Sequence, residues 1–213
     1  MKKLFVFFIF SGLGVLACHA QKLQGLYLQL QPVGTNYAFI HYYFWNDGRI
    51  CKGLPAGGID QEPAAFGAYE AAVRKQGGEC GRYSITGKQM RLQLPGSSYE
   101  ASFVNFKNNS FEMNQYATAH VGFDSGAKLE GTYSATVVGA QMRKQTYSFN
   151  PDGSFQWSDK PITSRDGAPA TSSGRYRVFG STIELVSGSG TIKVTAYPLP
   201  EGGLSISGTV FSK

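Results

Sequence analysis

Histidine is scarce in this chain, with three in 213 residues. His41 and His120 lie in different parts of the sequence, with none of the spacing that gathers metal ligands. There is no Gly-x-Ser-x-Gly elbow and no glycine loop of the kind that cradles phosphate. The acidic residues Asp47 and Asp152 each precede a glycine, where Asp serves a turn. No catalytic group, metal or cofactor is therefore expected, and an enzyme, of hydrolytic type, ranks third among the readings below. Lysine and arginine form no run, so the clustered basic face that nucleic acid requires is missing. Beyond the N-terminus no apolar stretch approaches the roughly 20 residues of a membrane-crossing helix.

The N-terminus does hold a shorter one. Lys2 and Lys3 precede an apolar run from Leu4 to Leu16, and Ala17-Cys18-His19-Ala20 follows. This is the pattern of a secretory signal over residues 1–20. Two exits compete. Cleavage after Ala20 would leave Gln21 first. Alternatively Val15-Leu16-Ala17-Cys18 reads as a loose lipobox, with Cys18 lipidated as the mature N-terminus. Both imply export, to the periplasm, to the outer membrane as a lipoprotein, or out of the cell. A lipid on Cys18 would be the one membrane attachment. Losing Lys2 and Lys3 takes the net charge from +6 to +4.

Either exit leaves Cys51 and Cys80. In an oxidising compartment an even pair suggests a disulfide, here closing a 30-residue segment. The alternative is two buried free thiols.

What the chain has in quantity is glycine, 27 residues, and a sequence that repeats itself. Tyr42 to Ile50 aligns with Tyr147 to Phe155 without a gap, and Cys80 to Ile85 aligns with Ser173 to Val178. The register carries on, pairing Gly87 with Gly180, Leu92 with Leu185 and Tyr99 with Ile192. Gly25-Leu26-Tyr27 echoes Gly131-Thr132-Tyr133. The order of features gives a first repeat over 21–119, a linker over 120–129 and a second repeat over 130–213. Each reads as about seven short strands in antiparallel meander order, all-β, with Asp47-Gly48 and Asp152-Gly153 as hairpin turns.

The first repeat carries 12 extra residues between its third and fourth strands. There 63–76 reads as a short helix, with Phe66, Tyr69 and Val73 on one stripe, Pro63 at its start and Gly77-Gly78 at its stop. The matching piece of the second repeat, 161–173, is polar and is expected to be a loop. Tyr42 and Phe44 match Tyr147 and Phe149, which marks a core face. On the opposite face His41, Tyr43 and Trp45 match Thr146, Ser148 and Asn150. The shared fold does not require aromatics there, so the face is either covered by the helix or a ligand or partner site. Arg82 and Arg175 share a Gly-Arg-Tyr context, either as anchors for an anionic ligand or as exposed cover for the sheet.

The Gly-x-Tyr elements at 25–27, 81–83, 131–133 and 174–176, with their Asp-Gly hairpins, resemble those of bacterial lipocalin-like (calycin-like) β-barrel proteins. Tyr27 and Tyr133 stand where lipocalins usually carry Trp. The resemblance implies barrels or half-barrels able to hold a small molecule. Our leading expectation is thus a non-catalytic envelope protein that holds an apolar or amphipathic small ligand at a barrel mouth, with the helix as a lid. His41, Tyr43, Trp45, Phe66, Tyr69, Arg82 and Arg175 are the candidate contacts. The alternative is an interaction or structural module that meets another envelope protein through the aromatic face.

Overall fold

The computed structural model describes residues 22–124, 126–162 and 168–213. The N-terminal segment 1–21, with Cys18, lies outside the described residues, as does the centre of the 161–173 stretch. Among the described residues no helix is long and apolar enough to cross a membrane.

The first repeat runs β1 (Gly25–Val33), β2 (Asn36–Phe44), β3 (Arg49–Lys52), α1 (Phe66–Arg74), β4 (Glu79–Thr86), β5 (Gln89–Leu94), β6 (Ser97–Lys107), β7 (Ser110–Met113) and β8 (Tyr116–His120). Each strand pairs with the next, and β8 returns to β1 to close a barrel. The closing ladder sets Tyr27 opposite His120, Leu28 opposite Ala119 and Gln29 opposite Thr118.

The second repeat runs β9 (Gly131–Val138), β10 (Met142–Phe149), β11 (Ser154–Pro161), β12 (Ala170–Phe179), β13 (Thr182–Ser187), β14 (Gly190–Pro198), β15 (Leu204–Ile206) and β16 (Thr209–Phe211). It is an eight-stranded sheet in the same order. A single bridge between Ser134 and Ser212 joins its edges, with backbone hydrogen bonds of 2.8 and 3.0 Å.

The duplication holds at the level of register. Tyr27 faces Tyr42 as Tyr133 faces Tyr147, and Tyr83 faces Leu92 as Tyr176 faces Leu185. In both Asp-Gly hairpins the glycine has a positive φ, +86° at Gly48 and +85° at Gly153, a region where a Cβ would be strained. The preceding aspartate accepts the backbone N–H two residues on, from Arg49 and from Ser154. Each glycine carbonyl then accepts the N–H of the tyrosine, Tyr83 or Tyr176, at 2.7 Å. The tyrosine hydroxyls close the lock. That of Tyr83 accepts from Leu23 N and lies 3.0 Å from Trp45 O; that of Tyr176 accepts from Leu129 N and lies 3.0 Å from Asn150 O. The glycine before each tyrosine has its own reason. A Cβ on Gly81 would sit 1.8 Å from the Gln93 carbonyl oxygen, and one on Gly174 1.9 Å from that of Val186.

Each repeat has eight strands rather than seven. The expected terminal strand from Leu204 to Val210 is split by a tight turn at Ser207-Gly208, both at positive φ. The polar stretch 161–173 is less of a loop than expected, because β11 reaches Pro161 and β12 begins at Ala170. The helix is shorter than 63–76. Its first turn cannot start at Pro63, because barrel side chains hold Ala64: the Tyr43 hydroxyl accepts the Ala64 N–H, and Trp45 Nε1 donates to the Ala64 carbonyl. Ala65 is extended and the helix begins at Phe66.

Alternating residues fill both interiors. Tyr42, Phe44, Met90, Leu92, Phe103 and Phe111 pack the first barrel; Tyr147, Phe149, Phe155, Ile183, Leu185 and Phe211 occupy the second. Burying each such side chain stabilises by roughly 1.5–3 kcal/mol. A third cluster lies between the repeats, where Leu26, Tyr43, Trp45, Tyr69 and Val73 meet Tyr197 from β14. The insertion is part of this joint. Thr182 Oγ1 accepts from Ile59 N at 2.8 Å, Thr195 Oγ1 donates to Pro55 O, and Lys193 pairs with Asp60 at 2.6 Å.

Candidate functional site

The structure gathers five of the expected contacts, and it closes them in. His41, Tyr43 and Trp45 share the outer face of the first barrel, as strand alternation requires. Phe66 and Tyr69 of α1 lie on them, with the Trp45 ring 5.0 Å from Phe66 and 5.3 Å from Tyr69. The Tyr43 ring is 4.7 Å from that of Tyr69, and its hydroxyl donates to the Glu62 carboxylate. His41 is 8% exposed, Tyr43 fully buried and Trp45 5% exposed. Burial lowers the His41 imidazole to a pKa of about 4. The Cys51–Cys80 disulfide lies in the same cluster and joins directly opposed residues of β3 and β4. Arg82 and Arg175 are exposed and stand apart from this cluster. Phe66 also carries the Arg49 guanidinium over its ring at 4.4 Å.

The equivalent region of the second repeat is open. Among the described residues no helix covers the sheet there, and the disulfide positions are taken by Gln156 and Ser173, again directly opposed. Outward-facing Thr146, Ser148, Gln156, Ser158, Thr171 and Ser173 line a hollow of about 600 Å³. Trp157, Ser172 and Ser189 line it too, and the same three residues border a second hollow of about 190 Å³ at the barrel mouth. The two spaces therefore abut at these three residues.

The smaller hollow has an apolar wall of Tyr147, Phe155, Leu185 and Ile192, and hydroxyls at Ser172, Ser187 and Ser189. Its cause is a loss of bulk. In the first repeat the matching positions of Ser187 and Ile192 are Leu94 and Tyr99, which pack against that core. The Trp157 indole nitrogen is buried and has no hydrogen-bond acceptor among the described residues. Burial raises the Tyr147 hydroxyl to a pKa of about 12, with Asp159 adding to the shift, so it stays protonated. Further out on the inner faces of β10 and β11, Arg143 pairs with Asp159 at 2.7 Å and Gln145 donates to the same carboxylate.

Sequence reasoning missed this site. Thr146, Ser148 and Asn150 were informative only as the polar counterparts of an aromatic face, and Trp157, Ser172, Ser187 and Ser189 carried no motif. The available signal was subtraction, small residues in one repeat where the other has large ones. A further cleft of about 230 Å³ at the seam brings Gln24, Glu62, His120 and Ser181 together. Among the described residues no group of His, Cys, Asp and Glu could hold a metal ion. Comparison with known proteins found no matching family model, no matching curated protein and no matching solved structure.

Proposed function

We propose that this is an exported, non-catalytic binding protein of the cell envelope, lipocalin-like in fold, that holds a small amphipathic ligand at the mouth of its second barrel. The observation that carries the reading is the hollow of about 190 Å³ at the barrel mouth, apolar along Tyr147, Phe155, Leu185 and Ile192 and edged by the hydroxyls of Ser172, Ser187 and Ser189. The Trp157 ring lines this hollow, so its indole signal reports what enters it. The hollow exceeds the ~150 Å³ that admits a benzene ring in an apolar core, so it suits a ring or a short chain. Export is supported by the N-terminal pattern and by the disulfide. Coverage of the aromatic face by α1 weighs against the partner-protein alternative at that face.

The chain has two tryptophans, hence two indole N–H signals in a proton–nitrogen spectrum. That of Trp45 is held by the Ala64 carbonyl at 2.6 Å. Titration with 1-hexanol, which offers a chain and one acceptor, is expected to move the Trp157 signal and leave that of Trp45 in place. Trp157→Phe assigns the signals. A Trp157 signal that does not move up to the solubility limit of the alcohol would refute the reading.

A further inference from the structure

The mouth pocket accounts for the apolar half of a ligand and leaves the larger hollow beside it unexplained. We infer that the second barrel takes a glycoside, with the apolar aglycone in the mouth and the sugar across Trp157 in the hydroxyl-lined groove on the outer face. The inference rests on the mouth reading, because the aglycone needs that seat.

The chemistry of the groove selects the class. Its six outward-facing side chains on β10, β11 and β12 are five hydroxyls and one amide, Gln156. Each can donate and accept. None of the described residues lining the groove carries a charge, so among them an anionic or cationic head would find no counter-ion, and its desolvation is costly. An apolar head would cover the hydroxyls without offering them partners, which is unfavourable. A peptide strand adds to a free sheet edge, whereas this groove lies on the face of three strands already paired to one another. A sugar presents a dense set of uncharged hydroxyls that are donors and acceptors in turn, which is the complement of this surface.

The first repeat shows that the groove is a difference and not a by-product of the fold. At the positions of Thr146, Ser148, Gln156 and Ser173 it carries His41, Tyr43, Cys51 and Cys80. All four are buried, beneath α1 and against the second repeat. Among the described residues the same surface is therefore sealed in one repeat, and open, polar and next to a pocket in the other.

The test is calorimetric titration of the whole chain with four probes: 1-hexanol, hexyl β-glucoside, methyl β-glucoside and hexyl phosphate. Hexyl glucoside is expected to bind about tenfold or more tighter than 1-hexanol, the equivalent of one or two net hydrogen bonds. Methyl glucoside, lacking the chain, should bind more weakly than hexyl glucoside. The groove variant Ser148→Val with Gln156→Leu should bring hexyl glucoside close to 1-hexanol while leaving 1-hexanol unchanged. Thr171→Val with Ser173→Val, on a different strand, repeats the test should the first variant melt early. Equal affinities for hexyl glucoside and 1-hexanol overturn the glycoside and leave the mouth reading intact. Tighter binding of hexyl phosphate, or equal losses for both ligands in the groove variants, also overturns it. If 1-hexanol leaves Trp157 untouched while methyl glucoside binds, the mouth reading falls, and the glycoside falls with it for want of a seat for its aglycone.

Discussion

The Tyr197 hydroxyl lies 2.5 Å from His41 Nε2, across the join between the two repeats. The two residues are 156 apart in sequence, one on β2 and one on β14. The imidazole is buried and its pKa is lowered to about 4. It is therefore neutral in the folded protein, with its Nε2 hydrogen-bonded to the Tyr197 hydroxyl.

That arrangement makes the joint acid-sensitive. Between pH 6.5 and about 4 the unfolded state binds a proton at His41 that the folded state refuses. Stability present above pH 6.5 is thus lost as pH falls through this window, by up to about 3 kcal/mol. Glu62 works the other way, since the protein around its carboxyl raises its pKa and its share is lost as pH rises. His41→Gln keeps a hydrogen-bonding group for Tyr197 and removes the titration. Its melting temperature should fall less than that of the wild type between pH 6.5 and 4. Parallel profiles for the two proteins would mean that water reaches the ring.

Trp45→Ala should cost about 3–5 kcal/mol in urea denaturation, the range for truncating a large core aromatic. The change removes the rings' contact with Phe66 and Tyr69 and leaves the Ala64 carbonyl without its indole donor. Binding of 1-hexanol at native conditions should be unaffected. A loss under about 1 kcal/mol would mean that α1 does not rest on this face.

The two tyrosine locks should weigh alike. Tyr83→Phe and Tyr176→Phe each remove a hydroxyl that bridges a hairpin carbonyl to the chain leading into β1 or β9. Each substitution should lower stability by about 1–3 kcal/mol, the cost of leaving buried partners unsatisfied. The shared cluster between the repeats should make both appear in a single unfolding transition. Two separate transitions, each sensitive to one tyrosine, would show that the repeats unfold independently.

Cys51→Ser with Cys80→Ser should lose about 3–4 kcal/mol relative to the oxidised protein, the chain-entropy value for closing a segment of this length. Oxidised and reduced wild type should differ by a similar amount. Thiol titration of unfolded, unreduced protein should find neither cysteine reactive. Exchange protection in β11 and β12, which carry Gln156 and Ser173 instead, should change less than in β3 and β4.

Much of this fold was legible because duplicated residues check one another. Tyr42 and Tyr147, or Gly81 and Gly174, face the same constraint twice, and the disulfide follows from an even cysteine pair carried on strands that neighbour one another in a meander. The eighth strands were not legible, because their turns are marked by Asn114-Gln115 and Ser207-Gly208 rather than by an Asp-Gly pair. The role of the insertion was only half visible. Periodicity put Phe66 and Tyr69 on one stripe, yet nothing local links Ile59 to Thr182, 123 residues away. The candidate site was hidden for a different reason. A hollow is made by what side chains fail to fill, and Ser187 and Ile192 reveal it only beside the Leu94 and Tyr99 that fill the other barrel.

The two barrels are fastened unequally. The first is sealed by a ladder of three facing pairs, the second by the single Ser134–Ser212 bridge. Separating β9 from β16 breaks two backbone hydrogen bonds, while all the other strand pairs of the second repeat stay in register. The second barrel can therefore open along one meridian at less cost than the first, the buried Phe211 ring 5.3 Å from that of Tyr147 being what else holds it. Amide exchange at Ser134 and Ser212 should outpace that at the β1–β8 seam by orders of magnitude. Such a seam gives the interior beneath Tyr147 a second route to solvent, one set by the kinetics of opening rather than by the width of the mouth.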